Sequence, residues 1–144
     1  APRFARGVPP DEVGRFVAAD LPAFCRLSRF TRQDRYRWER RFTAAQMDAM
    51  AEDLRIGPVA DLRVEERGVS GRVVSLVIVG ESGQARVRGE LAIRRRFGTL
   101  NSAMFELTRV PPGPGRPREW IFKGGGWGHG VGMCQTGAMG RADT

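Results

Sequence analysis

The hydrophobic period changes several times along the chain, and each change marks an element. Val13, Phe16, Val17 and Leu21 recur at helical spacing from Asp11 onward. They predict a helix through about Ala19, opened by Pro10 and stopped before Pro22. Ahead of it, Pro2, Pro9 and Pro10 make residues 1–10 an extended lead-in. Phe24, Cys25, Leu27 and Phe30 form an irregular apolar patch, and residues 31–35 read as a polar loop. Tyr36, Trp38 and Arg40 then alternate with Arg37, Glu39 and Arg41, which fits a short strand with one aromatic face.

Thr43 with Gln46 three places on is a capping box, and Phe42 is placed to staple onto Met47 across it. Met47, Met50, Ala51 and Leu54 line one helical face. Gly57 stands where a left-handed residue would end that helix. The methionines could form a binding stripe, but this spacing is the ordinary one for core.

Beyond Pro58 the period becomes two. Leu62 with Val64, and then the run from Val73 to Val79, read as two strands turned by residues 67–71. The second run is apolar on both faces and so belongs in the middle of a sheet. Residues 81–83 turn the chain again into Ala85, Val87 and Gly89. Residues 90–97 fit either more strand or a short helix. Ser102 to Val110 is a strand with Met104 or Phe105 inward, residues 111–117 are a proline-glycine loop, and Glu119 to Lys123 is a short strand. Short turns between consecutive strands predict an α+β fold: an antiparallel, meandering sheet with a few packed helices. Its glycine-rich loop leads into a C-terminal helix that begins near Gly130.

Length changes this picture little: 144 residues suit a single domain. No apolar run is long enough to span a membrane. The net charge of +8 is carried almost wholly by arginine, with Lys123 the only lysine. Such a charge admits polyanions in general. The arginines are scattered, however, and no nucleic-acid motif accompanies them, so nucleic acid is not an expected partner. The chain begins with Ala rather than Met, which reads as a processed or excised piece of a longer protein.

The chemistry concentrates in GGGWGHGVGMCQTGA, beginning at Gly124. Six glycines fall in its first nine residues, and the only histidine, His129, sits among them. Two readings are open. One is a tight structural turn that packs Trp127, with His129 bonded to backbone to tie it down. The other is a rigid, ligand-facing loop in which Gly126, Gly128 and Gly130 bare the backbone. There Trp127 could stack on a sugar ring, and His129 could exchange protons or hydrogen-bond a ligand. Gln135 could fix the imidazole tautomer or contact a substrate amide. Amides beside His129, at the start of a helix, could bind an anion or a carbonyl oxygen.

This motif resembles the signature of the SpoIID/LytB family, proteins of bacterial sporulation and cell-wall remodelling, whose usual form is G-x-G-[WF]-G-H-G-V-G-M-[SC]-Q-x-G-A. Three shorter blocks follow the family's order upstream: YRWE from Tyr36, VSGRV from Val69 and SAMF from Ser102. The resemblance covers roughly residues 36–142, with residues 1–35 as a helical lead-in, and it favours the helix over 90–97. It implies a lytic transglycosylase acting on peptidoglycan glycan strands, or an enhancer that binds a cell-wall amidase. It also implies an extracytoplasmic setting, in the cell envelope or periplasm, with anchoring through a segment outside this chain.

Glycan cleavage needs a protonated carboxyl group. The family carries it on an E-D-Y-[LV]-x-G-V-[VL]-x-x-E-M block followed by A-x-A-A-R-[TS], and neither occurs here. Glu39, Glu90 and Glu106 belong to other blocks. The chain therefore looks like the carboxy-terminal half of such a protein, holding part of the site without the acid and inactive alone. In that setting Cys25 and Cys134 are a disulfide candidate. Closing a loop of on the order of a hundred residues would add about 4 to 5 kcal/mol in the chain-entropy account. Two buried free thiols, or a zinc site made by Cys25, His129 and Cys134, are the alternatives; no other cofactor is expected.

Overall fold

The computed structural model describes residue 4 and residues 6–143; Pro2 of the lead-in and Thr144 lie outside them. Pro9, extended at ψ 148°, leads into a 3-10 turn at Pro10–Glu12 and then helix α1 (Val13–Ala18), which buries Val13 and Val17. Ala19 turns extended, so Leu21 falls outside the helix. Pro22 confines the residue before it to extended backbone, which prevents a further turn. The apolar patch forms a one-turn helix, α2 (Phe24–Leu27). The expected polar loop also closes one turn, α3 (Gln33–Tyr36), which removes Tyr36 from the strand that follows.

That strand, β1 (Arg37–Thr43), buries Trp38 and Phe42. Thr43 Oγ1 accepts the Gln46 N–H at 3.3 Å and Gln46 Oε1 accepts the Thr43 N–H at 2.9 Å, so the capping box opens α4 (Ala44–Ala51). A 3-10 turn at Glu52–Leu54 tightens the end of this helix. Its left-handed cap is Arg55, at φ 53°, not Gly57, which takes its own positive φ of 74° two residues later. The tighter pitch of the 3-10 turn brings the reversal forward, and Gly57 serves the close approach to Ser82 instead.

Strands β2 (Val59–Arg67), β3 (Val73–Gly80) and β4 (Gly83–Arg88) form an antiparallel meander with β3 central. Val73, Leu76 and Ile78 are fully buried, as the two-sided apolar run requires. Residues 90–96 are helical, α5 (Glu90–Arg96), with Ile93 in the core. The chain continues through β5 (Phe105–Val110), β6 (Glu119–Gly125) and α6 (Gln135–Ala142). The fold is α+β with antiparallel strands, but these form two three-stranded sheets, and the second does not meander: its order is β1-β6-β5. Trp120, Ile121 and Phe122 are consecutive and buried, so both faces of β6 are covered and it occupies the centre. Both Met104 and Phe105 are inward.

One core joins the two sheets and α4 and α5, with Phe97, Phe105 and Phe122 at ring distances of 5.0 Å. A smaller cluster of Val8, Val13, Val17 and Met104 attaches the lead-in. Pairing β6 between β1 and β5 has one consequence for function. It delivers the first glycines of the motif into the sheet and the rest off its edge.

Candidate functional site

The glycine motif starts as strand. Gly124 pairs with Trp38 of β1 and Phe105 of β5. A β-carbon there would overlap the Trp38 ring and stand 2.7 Å from the Met104 carbonyl oxygen. Gly125 donates to the Met104 carbonyl at 3.0 Å, and its own carbonyl accepts the buried Ser102 hydroxyl at 2.7 Å. Gly126 donates to Tyr36 O at 3.0 Å and Gly128 to Asn101 O at 2.8 Å. Asn101 is held in turn by its amide bond to Asp34 O at 2.9 Å.

From there the chain leaves the sheet by a path only glycine follows easily. Gly126, Gly128, Gly130 and Gly132 have φ of 80°, 87°, 71° and 94°. Gly126, Gly128 and Gly132 have open space where a β-carbon would be, so they are required by backbone shape. Gly130 is packed against the Arg72 guanidinium. Burial lowers the pKa of Arg72, with Glu90 opposing the shift, and its Nε has no hydrogen-bond partner. Glu90 also pairs with Arg94 at 3.7 Å.

The side chains between these glycines are on the surface. Trp127 is 57% exposed, with the Arg35 guanidinium 4.6 Å from its ring centroid. It is not a core anchor; that part is taken by Trp120, which is fully buried. His129 is exposed, and its Nδ1 accepts the Val131 N–H at 2.9 Å. This bond assigns the neutral proton to Nε2, which is left as the outward donor. The structural use considered for the histidine is thus present, one ring nitrogen tying down the turn, and the ring is at the surface.

Two expectations about this loop are corrected. The helix begins at Gln135, five residues later than expected, because Gly130 and Gly132 stand at positive φ and cannot join a right-handed helix. The amides beside His129 therefore do not form a helix start. Gln135 is exposed in the first turn of α6, and no hydrogen bond joins it to His129.

Cys134 is the N-cap of α6, its Sγ accepting the Gly137 N–H at 3.3 Å with the Thr136 hydroxyl 3.5 Å away. α2 packs on α6 through Gly140, where a β-carbon would overlap the Phe24 carbonyl. That packing brings Cys25 into the neighbourhood of Cys134: a β-carbon at Gly137 would lie 3.3 Å from Cys134 Sγ and 3.9 Å from Cys25 Cβ. Both are nonetheless free thiols: the structure places the disulfide candidates near one another, on either side of Gly137, without a bond between them. Cys134 is exposed and Cys25 only partly covered, so neither is the buried core thiol of the alternative reading. The zinc set is not assembled either. Among the described residues no three His, Cys, Asp or Glu side chains converge, and His129 Nδ1 is occupied by its own loop.

Sequence reasoning singled out the loop but not what holds it. Arg35, Arg72 and Asn101 were missed as site residues, although Arg72 and the Ser102 anchor lie within blocks the resemblance had marked. All three upstream blocks converge on the motif: Tyr36 and Trp38 on Gly126 and Gly124, Arg72 on Gly130, Ser102 and Met104 on Gly125. A surface depression of about 440 Å³ bordered by Asp48, Glu52, Gly57 and Pro58 involves none of these residues. Asp48 is engaged there by the Val59 N–H at 2.8 Å. Among the described residues no helix is long and apolar enough to cross a membrane.

Residues 21–132 match the family model described as Domain of unknown function (DUF8618), and the chain belongs to that family. No curated protein matches it significantly. The matched span takes in all three upstream blocks and the glycine loop through Gly132.

Proposed function

We propose that this member of the DUF8618 family is a peptidoglycan-remodelling protein of the SpoIID/LytB kind, whose glycine loop holds glycan strands outside the cytoplasm. The observation that carries the reading is the placement of Trp127 and His129. A loop fixed from behind by Tyr36, Asn101, Ser102 and Met104 turns an indole and an Nε2–H donor to solvent. An exposed indole face suits the apolar face of a sugar ring, and an imidazole donor suits its hydroxyl or acetamido oxygens. Gly126 and Gly128 leave the backbone between these side chains uncovered, so a flat ligand can approach closely. The convergence of three sequence blocks on the motif supports reading it as one site.

Cleavage is assigned elsewhere than to this loop. The family's glutamate block does not occur in these residues, and Glu90 is ion-paired with Arg94 at 3.7 Å. The chain so read binds the strand and supplies no general acid.

Purified glycan strands immobilised on beads test this. Trp127→Ala and His129→Ala should each reduce capture about tenfold, the loss of one stacking contact or one hydrogen bond, while sacculi incubated with wild type release no muropeptides. Equal capture of all three proteins sinks the proposal.

A second reading has an observation of its own. Val131 and Met133 are 77% and 80% exposed, and Phe24, Leu27 and Phe30 are also at the surface. Such side chains fit a protein partner better than a sugar, as expected of an amidase enhancer. Retained capture of a cell-wall amidase by Trp127→Ala, but not by Val131→Asp, favours it.

A further inference from the structure

Two thiols that lie close together near the surface of a chain need an explanation whatever the ligand of the glycine loop is. Cys25 and Cys134 come from opposite ends of the sequence, and they meet only because α2 lies across α6. Gly137 and Gly140 make that crossing close. A β-carbon at Gly137 would lie 3.3 Å from Cys134 Sγ and 3.9 Å from Cys25 Cβ, and one at Gly140 would overlap the Phe24 carbonyl.

The two sulfurs are not equivalent. Cys134 is exposed, caps the helix, accepts the Gly137 N–H at 3.3 Å and shares a hydrogen bond with the Thr136 hydroxyl at 3.5 Å. These partners, Thr136 foremost, lower its pKa, whereas burial raises that of Cys25. One thiol is therefore the more exposed and the more inclined to ionise, and the other, partly covered, is its near neighbour across Gly137. Attacking and resolving cysteines of dithiol sites stand in this relation.

We propose that Cys25 and Cys134 form a thiol–disulfide exchange site whose oxidation fastens the end of the glycine motif to α2. The Cys134 thiolate attacks one sulfur of a disulfide oxidant and expels the other half as a thiolate, leaving a mixed disulfide on Cys134. Cys25 then loses its proton to solvent, attacks Cys134 Sγ and expels the second thiolate. Two protein thiols are oxidised, one disulfide is reduced to two thiols, and both protons are accounted for on the products. In the dithiol form Cys134 caps α6; in the disulfide form the same atom is a staple between α2 and α6. The segment from Gly130 to Met133 lies between His129 and this staple, so oxidation restricts the loop's downstream end while the upstream anchors are unchanged.

This inference is independent of the glycan reading, and its test uses no glycan. The native, reduced chain is incubated with oxidised glutathione, quenched with acid and weighed intact. The expected product is a monomer lighter by two hydrogens, with Cys25 and Cys134 peptides linked. At short times the first glutathionyl group should map to Cys134 in the unmutated protein. In Cys25→Ser that adduct should accumulate. In Cys134→Ser, adduct formation at Cys25 should be slower by about tenfold or more, the order of effect that thiolate fraction and access produce. Limited proteolysis within 132–142 should slow severalfold on oxidation and recover on reduction. Two stable glutathionyl groups, two untouched thiols, bonds only between chains, or a bond formed only in denaturant would each overturn the proposal. First labelling at Cys25 would overturn the assigned order of attack, and proteolysis unchanged by oxidation would overturn the staple.

Discussion

Replacing Gly124 and Gly126 by alanine, one at a time, separates two uses of glycine that the motif combines. At Gly126 an added methyl meets nothing within 4 Å, and only the φ of 80° resists it. Left-handed backbone costs a non-glycine residue roughly 1–2 kcal/mol. Reduced freedom of the unfolded chain returns about 0.4–1 kcal/mol of that. Gly126→Ala should therefore destabilise by about 1 kcal/mol. Gly124 has no positive φ, but its β-carbon would enter the Trp38 ring, which is buried and backed by Phe105 at 6.4 Å. The Met104 carbonyl on the other side belongs to backbone bonded to Gly125 and cannot swing away. Overpacking of a well-filled core costs about 1–3 kcal/mol and occasionally more, and two rigid neighbours place Gly124→Ala at or beyond the top of that range. Urea titrations followed by far-UV circular dichroism measure both, provided the slopes match wild type. Trp38→Leu should recover part of the Gly124→Ala loss and none of the Gly126→Ala loss. Equal costs at the two positions would refute the distinction between a packed start and an open continuation.

Two further outcomes follow from the same geometry. Trp127→Ala should cost about 1–2 kcal/mol of stability, because less than half of the indole is covered, whereas Trp120→Ala should cost about 3–5 kcal/mol; comparable losses in paired urea titrations would place Trp127 in the core after all. Glu65 has its pKa lowered by hydrogen bonds from Arg86, both at 2.6 Å, and then from Ser75 at 2.6 Å. A lowered carboxyl pKa stabilises the fold above the ordinary carboxylate range, and that contribution is lost as pH falls through the folded-state value. The gap in urea midpoint between wild type and Glu65→Gln should therefore be widest near neutral pH, close on acidification and narrow in high salt; a gap independent of pH would contradict the sign.

The local rules carried the elements well where one residue pattern had one solution. The Thr43–Gln46 box and the two-sided apolar run of β3 are examples, because each is decided within a few residues. The pairing of β6 between β1 and β5 was not legible. Nothing in residues 119–123 says which distant strands flank them, and a meander is the default only when neighbours in sequence pair. The loop's side chains were legible and its supports were not. Trp127 and His129 announce themselves between glycines, while Arg35 and Asn101 are ordinary residues that matter through where α3 and the stretch 99–102 place them. The late start of α6 was in principle readable, since glycines alternating through 132 favour a non-helical path.

What distinguishes this loop from a merely glycine-rich turn is that its anchors come from one side. Tyr36, Asn101, Ser102 and Met104 bond the backbone from the sheet and its flanking turns. Trp127, Val131 and Met133 stand exposed on the chain between and beyond those anchors. Glycine loses more freedom on folding than any other residue, so a run of six would be costly to order at the moment of binding. Here that ordering accompanies the fold, because the bonds to Gly125, Gly126 and Gly128 are made without any ligand. On the proposed reading a ligand would meet a surface whose shape is already set, and its affinity should depend on the side chains presented rather than on the cost of closing the loop. The upstream half is thereby held to small adjustments, and the stretch after Gly130, tied through the Val131–His129 bond, Arg72 and the α2–α6 crossing but not to the sheet, is the part left to respond to a partner or to oxidation.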